Sequence, residues 1–320
     1  MNDEVVVSVC MITYNQENYI KQSLDSALFQ KTTFKYEIII GEDNSTDNTR
    51  NILLEYKAQY PDKIKLILNA TNIGAVKNLA QTLKESNGKY IAILEGDDYW
   101  ISEYKLQIQA DFLNRNLNLS TCFHAAKLID SKGVLKRILP IEKFRRSTSN
   151  LIDLIENDVF MATCSTMFRA RLYEYFPSVF YVLRNGCDWA LSVLNAEHGD
   201  IGYIDEILSV YRTGSSEFAW TSNSLSHIYA DAIKINQEFN KYFNYKYDII
   251  IKKKITNYKY IIAIDNSRNG ELFKAMRLLI DIMNEITKVQ LIKGLFIEIP
   301  FVYLKRKLKK LLLKLKIIHV

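Results

Sequence analysis

The stretch Tyr90–Trp100, YIAILEGDDYW, constrains this chain more than any other. Tyr90, Ile91, Ala92, Ile93 and Leu94 show no polar alternation, the pattern of a strand covered on both faces in a parallel sheet. Glu95, Asp97 and Asp98 follow at once, with Gly96 between them. In an open α/β sheet the carboxyl ends of the strands form the rim at which ligands bind. Clustered carboxylates repel one another, so a fold that gathers them offers a cation or a proton in return. One or two carboxylates, completed by phosphate and water oxygens, describe a Mg²⁺ or Mn²⁺ nucleotide site. The plainer reading is an acidic turn capping a helix that begins near Ser102.

The preceding residues supply the sheet. VVVSVCMIT (Val5–Thr13) reads as a first buried strand, followed by a helical pattern through Ile20, Leu24, Ala27 and Leu28. Tyr36–Ile40 and Ile64–Leu68 read as two further strands. Asp47 is placed to cap the helix carrying Ile52, Leu53 and Tyr56, and Pro61 closes that helix. A helix from about Ala75 to Glu85 leads into the acidic strand. Strands alternating with helices of this length predict an α/β fold with a mostly parallel, Rossmann-like sheet flanked by helices. Beyond Trp100 the pattern predicts a helix from about Glu103, then an antiparallel pair, Thr121–Ile129 and Val134–Leu139, turned at Asp130–Gly133. A short helix near Leu151, a helix opened by Asp188 and the strand-like GYIDEILSVYR complete a domain ending near Trp220. No GxGxxG follows the first strand and no GxxxxGK[ST] occurs, so the acidic loops stand in for the usual phosphate-binding glycines.

The formal net charge of +6 is unevenly placed, because Lys305–Val320 holds six lysines and one arginine and no acid. The rest of the chain is near neutral, which argues against nucleic acid as a partner. Cys10, Cys122, Cys164 and Cys187 form no CxxC pair, and no HExxH occurs, so neither zinc nor a disulfide framework is expected. No basic leader precedes the first apolar run, and no uncharged apolar segment reaches eighteen residues. These features predict a cytoplasmic, reduced, non-spanning protein.

In order along the chain, VSVCMITYNQENYIKQSLDSALFQ, EDNSTDNT, TNIGAVKNL, EGDDYW and KLQIQADFL resemble glycosyltransferase family 2, the inverting enzymes of the GT-A fold, over roughly Val5–Trp220. The resemblance implies a nucleotide-sugar donor, expected to be a UDP-sugar, and a divalent metal, Mn²⁺ or Mg²⁺. It implies a saccharide or lipid-linked saccharide acceptor, in bacterial surface polysaccharide synthesis. Asp43 matches the carboxylate that accepts the N3 hydrogen of uracil. Thr13 and Tyr14 match positions lining the base, and Asn72 and Asn78 fall in the matching third loop as nucleotide-binding residues. Asp97 matches the metal-binding last acid of the DxD motif and Glu95 its first, nearer the ribose. Asp98 and Arg212 are expected to support the site, and Asp188 matches the general base. Two departures stand out. Glu95 is one methylene longer than the usual Asp, and the histidine frequent after the YR of the final strand is absent, because Thr213, Gly214, Ser215 and Ser216 follow Tyr211 and Arg212. A sugar nucleotidyltransferase and a catalytically silent nucleotide-sugar-binding or assembly subunit remain the alternatives.

Residues 221–303 read as a helical accessory region without a chemical motif. In 304–320, Leu304, Leu308, Leu311, Leu312 and Leu315 fall on one helical face, with Lys305, Arg306, Lys309, Lys310 and Lys316 on the rest. A basic amphipathic helix of this kind lies in an anionic membrane surface or docks on the protein body, and the first option makes the protein peripheral at the inner face of the plasma membrane.

Overall fold

A computed structural model describes residues 4–157, 160–170, 177–182, 186–214 and 224–282, without the side chains of 179 and 182. The chain divides into two compact units, Met1–Ser222 and Asn223–Val320. The expected basic helix at 304–320 lies outside the described residues.

The first unit alternates strand and helix through its opening half: β1 (Val5–Thr13), α1 (Ile20–Leu28), β2 (Lys35–Glu42), α2 (Thr49–Gln59), β3 (Ile64–Leu68), α3 (Ala75–Lys84) and β4 (Tyr90–Glu95). Then follow β5 (Tyr99–Trp100), α4 (Lys105–Arg115), β6 (Leu119–Ile129), β7 (Leu135–Leu139), β8 (Thr148–Ser149), α5 (Leu151–Glu156), β9 (Met167–Arg169), α6 (Ser178–Val182), α7 (Cys187–Ala196) and β10 (Asp200–Arg212). Among the described residues these strands form one sheet in the order β3-β2-β1-β4-β9-β6-β10-β5, with β7 added to β6 and β8 to β10.

The strands β3, β2, β1 and β4 run parallel, as do β6 and β10. Parallel neighbours need covering helices on both faces, and Val7, Val9, Met11, Ile38, Ile40, Ala92 and Leu94 are buried accordingly. Ile20, Leu24 and Ala27 of α1 bury one helical face beneath them, as do Leu106, Ala110 and Leu113 of α4. One expectation is corrected here. The strand Tyr90–Leu94 is parallel to β1 on one side only, because the three-residue β9 inserts antiparallel between β4 and β6. So short a strand arrives from an irregular segment rather than a helical crossover, and only crossovers enforce parallel pairing.

Two capping expectations are also corrected. Asp47 is not the N-cap of α2. Asn48 holds that position, and Asp47 accepts the Thr49 N–H at 3.0 Å from one residue further out. The acidic turn does not cap α4 either, since that helix starts at Lys105 with Tyr104 as its uncapped N-terminus.

In the second unit α8 (Leu225–Tyr242), α9 (Asp248–Arg268) and α10 (Leu272–Asp281) follow one another, and Ala263, Ala275, Leu279 and Ile282 form a small core. Among the described residues no helix is long and apolar enough to cross a membrane.

Candidate active site

Strand β1 lies between β2 and β4, so the chain leaves it first to one side of the sheet and later to the other. A crevice opens outside the carboxyl ends at such a reversal, and the loops after β1, β2 and β4 line it.

The first two loops are laced together. Asn15 and Asn44 take left-handed backbone conformations, at φ 53° and 61°, which Asn tolerates better than most residues. Asn15 N–H donates to Ser45 Oγ at 3.0 Å, its side-chain oxygen accepts from Thr46 N–H at 2.8 Å, and Gln16 N–H donates to Thr49 Oγ1 at 2.8 Å. Thr13 is buried and donates to Gln16 Oε1 at 2.7 Å. Tyr14, beside it, is half-buried.

Asp43 follows β2 and is almost fully buried. Its Oδ1 accepts from Asn69 Nδ2 at 3.1 Å and Ile73 N–H at 2.9 Å, and its Oδ2 accepts from Gly74 N–H at 2.9 Å. A carboxylate offers about four lone-pair sites, so one remains on Oδ2. Asn78 is also buried, with Nδ2 donating to Gly41 O at 2.8 Å and Oδ1 accepting from Asn69 at 3.2 Å. It therefore sits behind the loop that holds Asp43, whereas Asn72 is exposed on that loop and accepts from Gly74 N–H. The sequence reading overlooked Glu42 and Arg50. Buried Glu42 pairs with the partly exposed Arg50, and Arg50 Nη2 also donates to Asn69 O at 2.6 Å, which locks the residue that grips Asp43. The pair's eight-residue separation, across a loop rather than on one helix, gives no sequence signal.

The acidic loop closes the crevice. Gly96 N–H donates to Ile12 O at 3.2 Å, and a Cβ at Gly96 would meet Thr13 Oγ1 at 2.7 Å, so only glycine allows this approach. Ser23 Oγ donates to Glu95 O at 3.0 Å. Asp98 is buried, and its Oδ1 accepts the Arg212 N–H at 2.8 Å. Arg212 Nε donates to Asp97 O at 3.1 Å, Nη2 to Gln22 Oε1 at 3.2 Å, and the guanidinium lies 4.6 Å from the Tyr19 ring centre. Arg212 therefore spends these donors on holding the loop.

Asp188 comes from a different element. Gly186 is the N-cap of α7, so Asp188 lies inside its first turn, where Oδ1 accepts the Trp189 N–H at 2.8 Å. Its carboxyl is held above the ordinary range by burial. Glu95 is pushed up to about 8, first by burial and then by the charges of Asp97 and Asp188, so both lie within electrostatic reach of it. Asp98 is raised by burial and by Asp97 and Glu95. Among the described residues no group of three or more His, Cys, Asp or Glu is arranged to hold a metal ion by itself. The repulsion at Glu95 and Asp97 nevertheless fits a divalent cation completed by substrate oxygens, the usual manner of Mg²⁺ and Mn²⁺.

The sequence model of the family described as Glycosyl transferase family 2 matches residues 8–176. An uncharacterised Mycobacterium tuberculosis protein is 37% identical over 207 residues, 64% of this chain and 58% of that protein. The Escherichia coli UDP-Glc:alpha-D-GlcNAc-diphosphoundecaprenol beta-1,3-glucosyltransferase WfgD is 33% identical over 141 residues, 44% of this chain and 53% of its own. The matches thus span somewhat over half the length of these relatives. Among solved structures, S. aureus TarS 1–349 in complex with UDP-GlcNAc superposes with a TM-score of 0.61 at 20% identity, covering 93% of this chain and 89% of that one. The Pyrobaculum calidifontis mannosyltransferase PcManGT, in complex with GDP-Man and Mn²⁺, gives 0.55 at 15% identity, covering 90% and 78%. At these identities the superpositions establish the fold, which is of the GT-A type. With the family match extending over more than half its length, this chain belongs to glycosyl transferase family 2.

Proposed function

We propose that this protein is an inverting glycosyltransferase that moves a sugar from a UDP-sugar to a hydroxyl of a saccharide or lipid-linked saccharide during surface polysaccharide synthesis. The observation that carries the reading is the acidic loop Glu95–Asp98, which follows β4 beside the reversal point of the sheet and is fastened to β10 through Arg212, with Asp188 of α7 within electrostatic reach of Glu95. A relative that uses UDP-Glc and a diphosphoundecaprenol-linked GlcNAc supports it, as does a structural neighbour holding UDP-GlcNAc.

In this reading the free lone pair of Asp43 accepts the uracil N3–H, a contact cytosine cannot offer. Thr13, Tyr14 and Asn72 border the base, while Asn78, Glu42 and Arg50 keep Asp43 in place. Glu95 faces the ribose side, and Asp97 would hold a Mn²⁺ or Mg²⁺ ion together with the diphosphate. That ion supplies positive charge where negative charge develops on the departing oxygen. Asp188 takes the proton from the acceptor hydroxyl as its oxygen bonds to the anomeric carbon. The bond to the diphosphate breaks on the opposite face, UDP keeps the electron pair, and the anomeric configuration inverts. The raised carboxyl of Asp188 makes it a stronger base than an ordinary aspartate. Release of UDP from UDP-glucose or UDP-GlcNAc, measured with and without saccharide acceptors, tests the assignment. Acceptor-dependent release supports it, and diphosphate release from a nucleoside triphosphate would replace it with a nucleotidyltransferase.

A further inference from the structure

Beside the acidic loop the sheet carries a second concavity, on the face turned away from the core. Along β6 and β10, Ala126 and Tyr211 pack against the core, so the alternate residues Lys127, Ile129, Val210 and Arg212 share the other face. They floor a groove enclosing about 390 Å³, with Tyr99 and Ile101 as one wall and Leu135 of β7 on the other. That volume falls within the range of small-ligand pockets, about 300–1,000 Å³. Because β9 is antiparallel to both β4 and β6, the strands β6 and β10 run in the direction of β4, and the groove ends on the same rim as the acidic loop. Tyr99 follows Asp98 directly, and Arg212 Nε holds Asp97 O at 3.1 Å. The groove is thus continuous with the candidate active site.

Its chemistry is one-sided. Ile129 and Val210 make a buried aliphatic floor, while Ile101 and Leu135 stand 45% and 54% exposed above it. Two cations interrupt this surface, and among the described residues no acid lines it. Lys127 pairs with Val210 and Ile129 with Arg212, so the cations sit diagonally on neighbouring strands. A strand spacing of about 4.8 Å and a two-residue rise of about 6.6 Å put their backbones about 8 Å apart, within reach of one anion. Arg212 is buried, and its Nη1 makes no hydrogen bond with a described residue. Lys127 is exposed and forms no ion pair among them. Sugar hydroxyls need acceptors as well as donors, and these cations only donate. A lone phosphate leaves the aliphatic walls wet. A phosphate joined to a hydrocarbon chain satisfies both parts, and a trough fits a single chain better than it fits the surface of a bilayer. We propose that this groove binds the lipid phosphate of a lipid-linked saccharide acceptor. The phosphate lies between Lys127 and Arg212, and the hydrocarbon lies along Ile101, Val210 and Leu135. This assignment rests on the glycosyl-transfer reading and chooses, within it, a lipid-linked over a free saccharide.

Geranyl phosphate, inorganic phosphate and geraniol are titrated calorimetrically into wild type, Lys127→Met and Leu135→Ala, whose exposed positions leave the thermal melt unchanged. Geranyl phosphate is expected to bind wild type at least about tenfold tighter than either half alone, the effect of burying a few methylene groups. Lys127→Met should weaken it about threefold to tenfold, as for a partly exposed ion pair. Leu135→Ala should weaken it to a similar degree and leave inorganic phosphate unaffected. Saturating UDP with Mn²⁺ should leave the affinity for geranyl phosphate unchanged, because donor and acceptor bind together. No binding to wild type, equal binding to both variants, inorganic phosphate as tight as geranyl phosphate, or displacement by UDP each overturns the proposal. So does sedimentation with phosphatidylglycerol vesicles that is lost in Lys127→Met, which reassigns the groove to a membrane surface. A wild type that binds geranyl phosphate but no nucleotide instead overturns the glycosyl-transfer reading.

Discussion

The main-chain N–H of Arg212 donates to Asp98 Oδ1 at 2.8 Å and so fastens the last strand of the sheet to the acidic loop after β4. Both groups are buried, and removing the acceptor leaves an orphaned donor. Asp98→Ala is expected to lower stability by about 1–3 kcal/mol, the cost of a buried unsatisfied polar group. Asp98→Asn keeps an acceptor oxygen and should recover most of the loss. Chemical denaturation of both variants checks this, and an Ala variant as stable as wild type would contradict it.

Asp188→Asn should lower turnover by about 10²- to 10⁴-fold, the contribution of a positioned base. UDP affinity should stay unchanged, because Asp188 acts on the acceptor side. Steady-state rates and UDP titration separate the two effects, and a variant that keeps its rate has lost no base.

Lys105 gives a pH prediction. Its amine is fully buried, lies 4.1 Å from the Trp100 ring centre and has no hydrogen-bond partner. Burial lowers its pKa from 10.5 to about 7. The unfolded chain therefore holds a proton that the folded protein releases between pH 7 and 10.5, so Lys105 makes stability rise with pH across that window. Its cost is full below pH 7 and disappears above 10.5. Lys105→Met should stabilise the protein by a few kcal/mol at pH 6, much less at pH 10, and flatten the slope between. Denaturant midpoints across this range decide the matter, with a parallel shift at all pH values as the contrary outcome.

Much of this architecture is readable from residue order. Val5–Thr13 and Ile64–Leu68 form strands with the expected ends, because both are dominated by β-branched and aliphatic residues. The antiparallel pair after Trp100 also forms, with its first strand extended to Leu119. What escapes is set by long-range contacts. Nothing local distinguishes β9, three residues wedged between β4 and β6. Glu42 with Arg50 carries no motif. The family pattern singles out Asp43 and Asp188, whereas the groups that hold Asp43, from Asn69, Ile73 and Gly74, come from a loop whose path the sequence does not encode locally.

Gly41→Ala tests the support behind Asp43. A Cβ there would meet Asn78 and, at 2.5 Å, Thr82 Oγ1, and the Asn78 amide cannot move without releasing Gly41 O and Asn69. Overpacking of this kind costs about 1–3 kcal/mol. Stability and UDP affinity should fall together, whereas unchanged UDP affinity in a destabilised variant would detach Asn78 from the nucleotide site.

The most direct test is calorimetric titration of UDP into wild type and Asp97→Asn, each with Mn²⁺ and then with EDTA. The account predicts binding to wild type that needs Mn²⁺ and is lost or severely weakened in the variant, with the fold intact by circular dichroism. UDP binding of equal strength in EDTA, or in the variant, would contradict the role given to Asp97 and the metal-assisted site built around it.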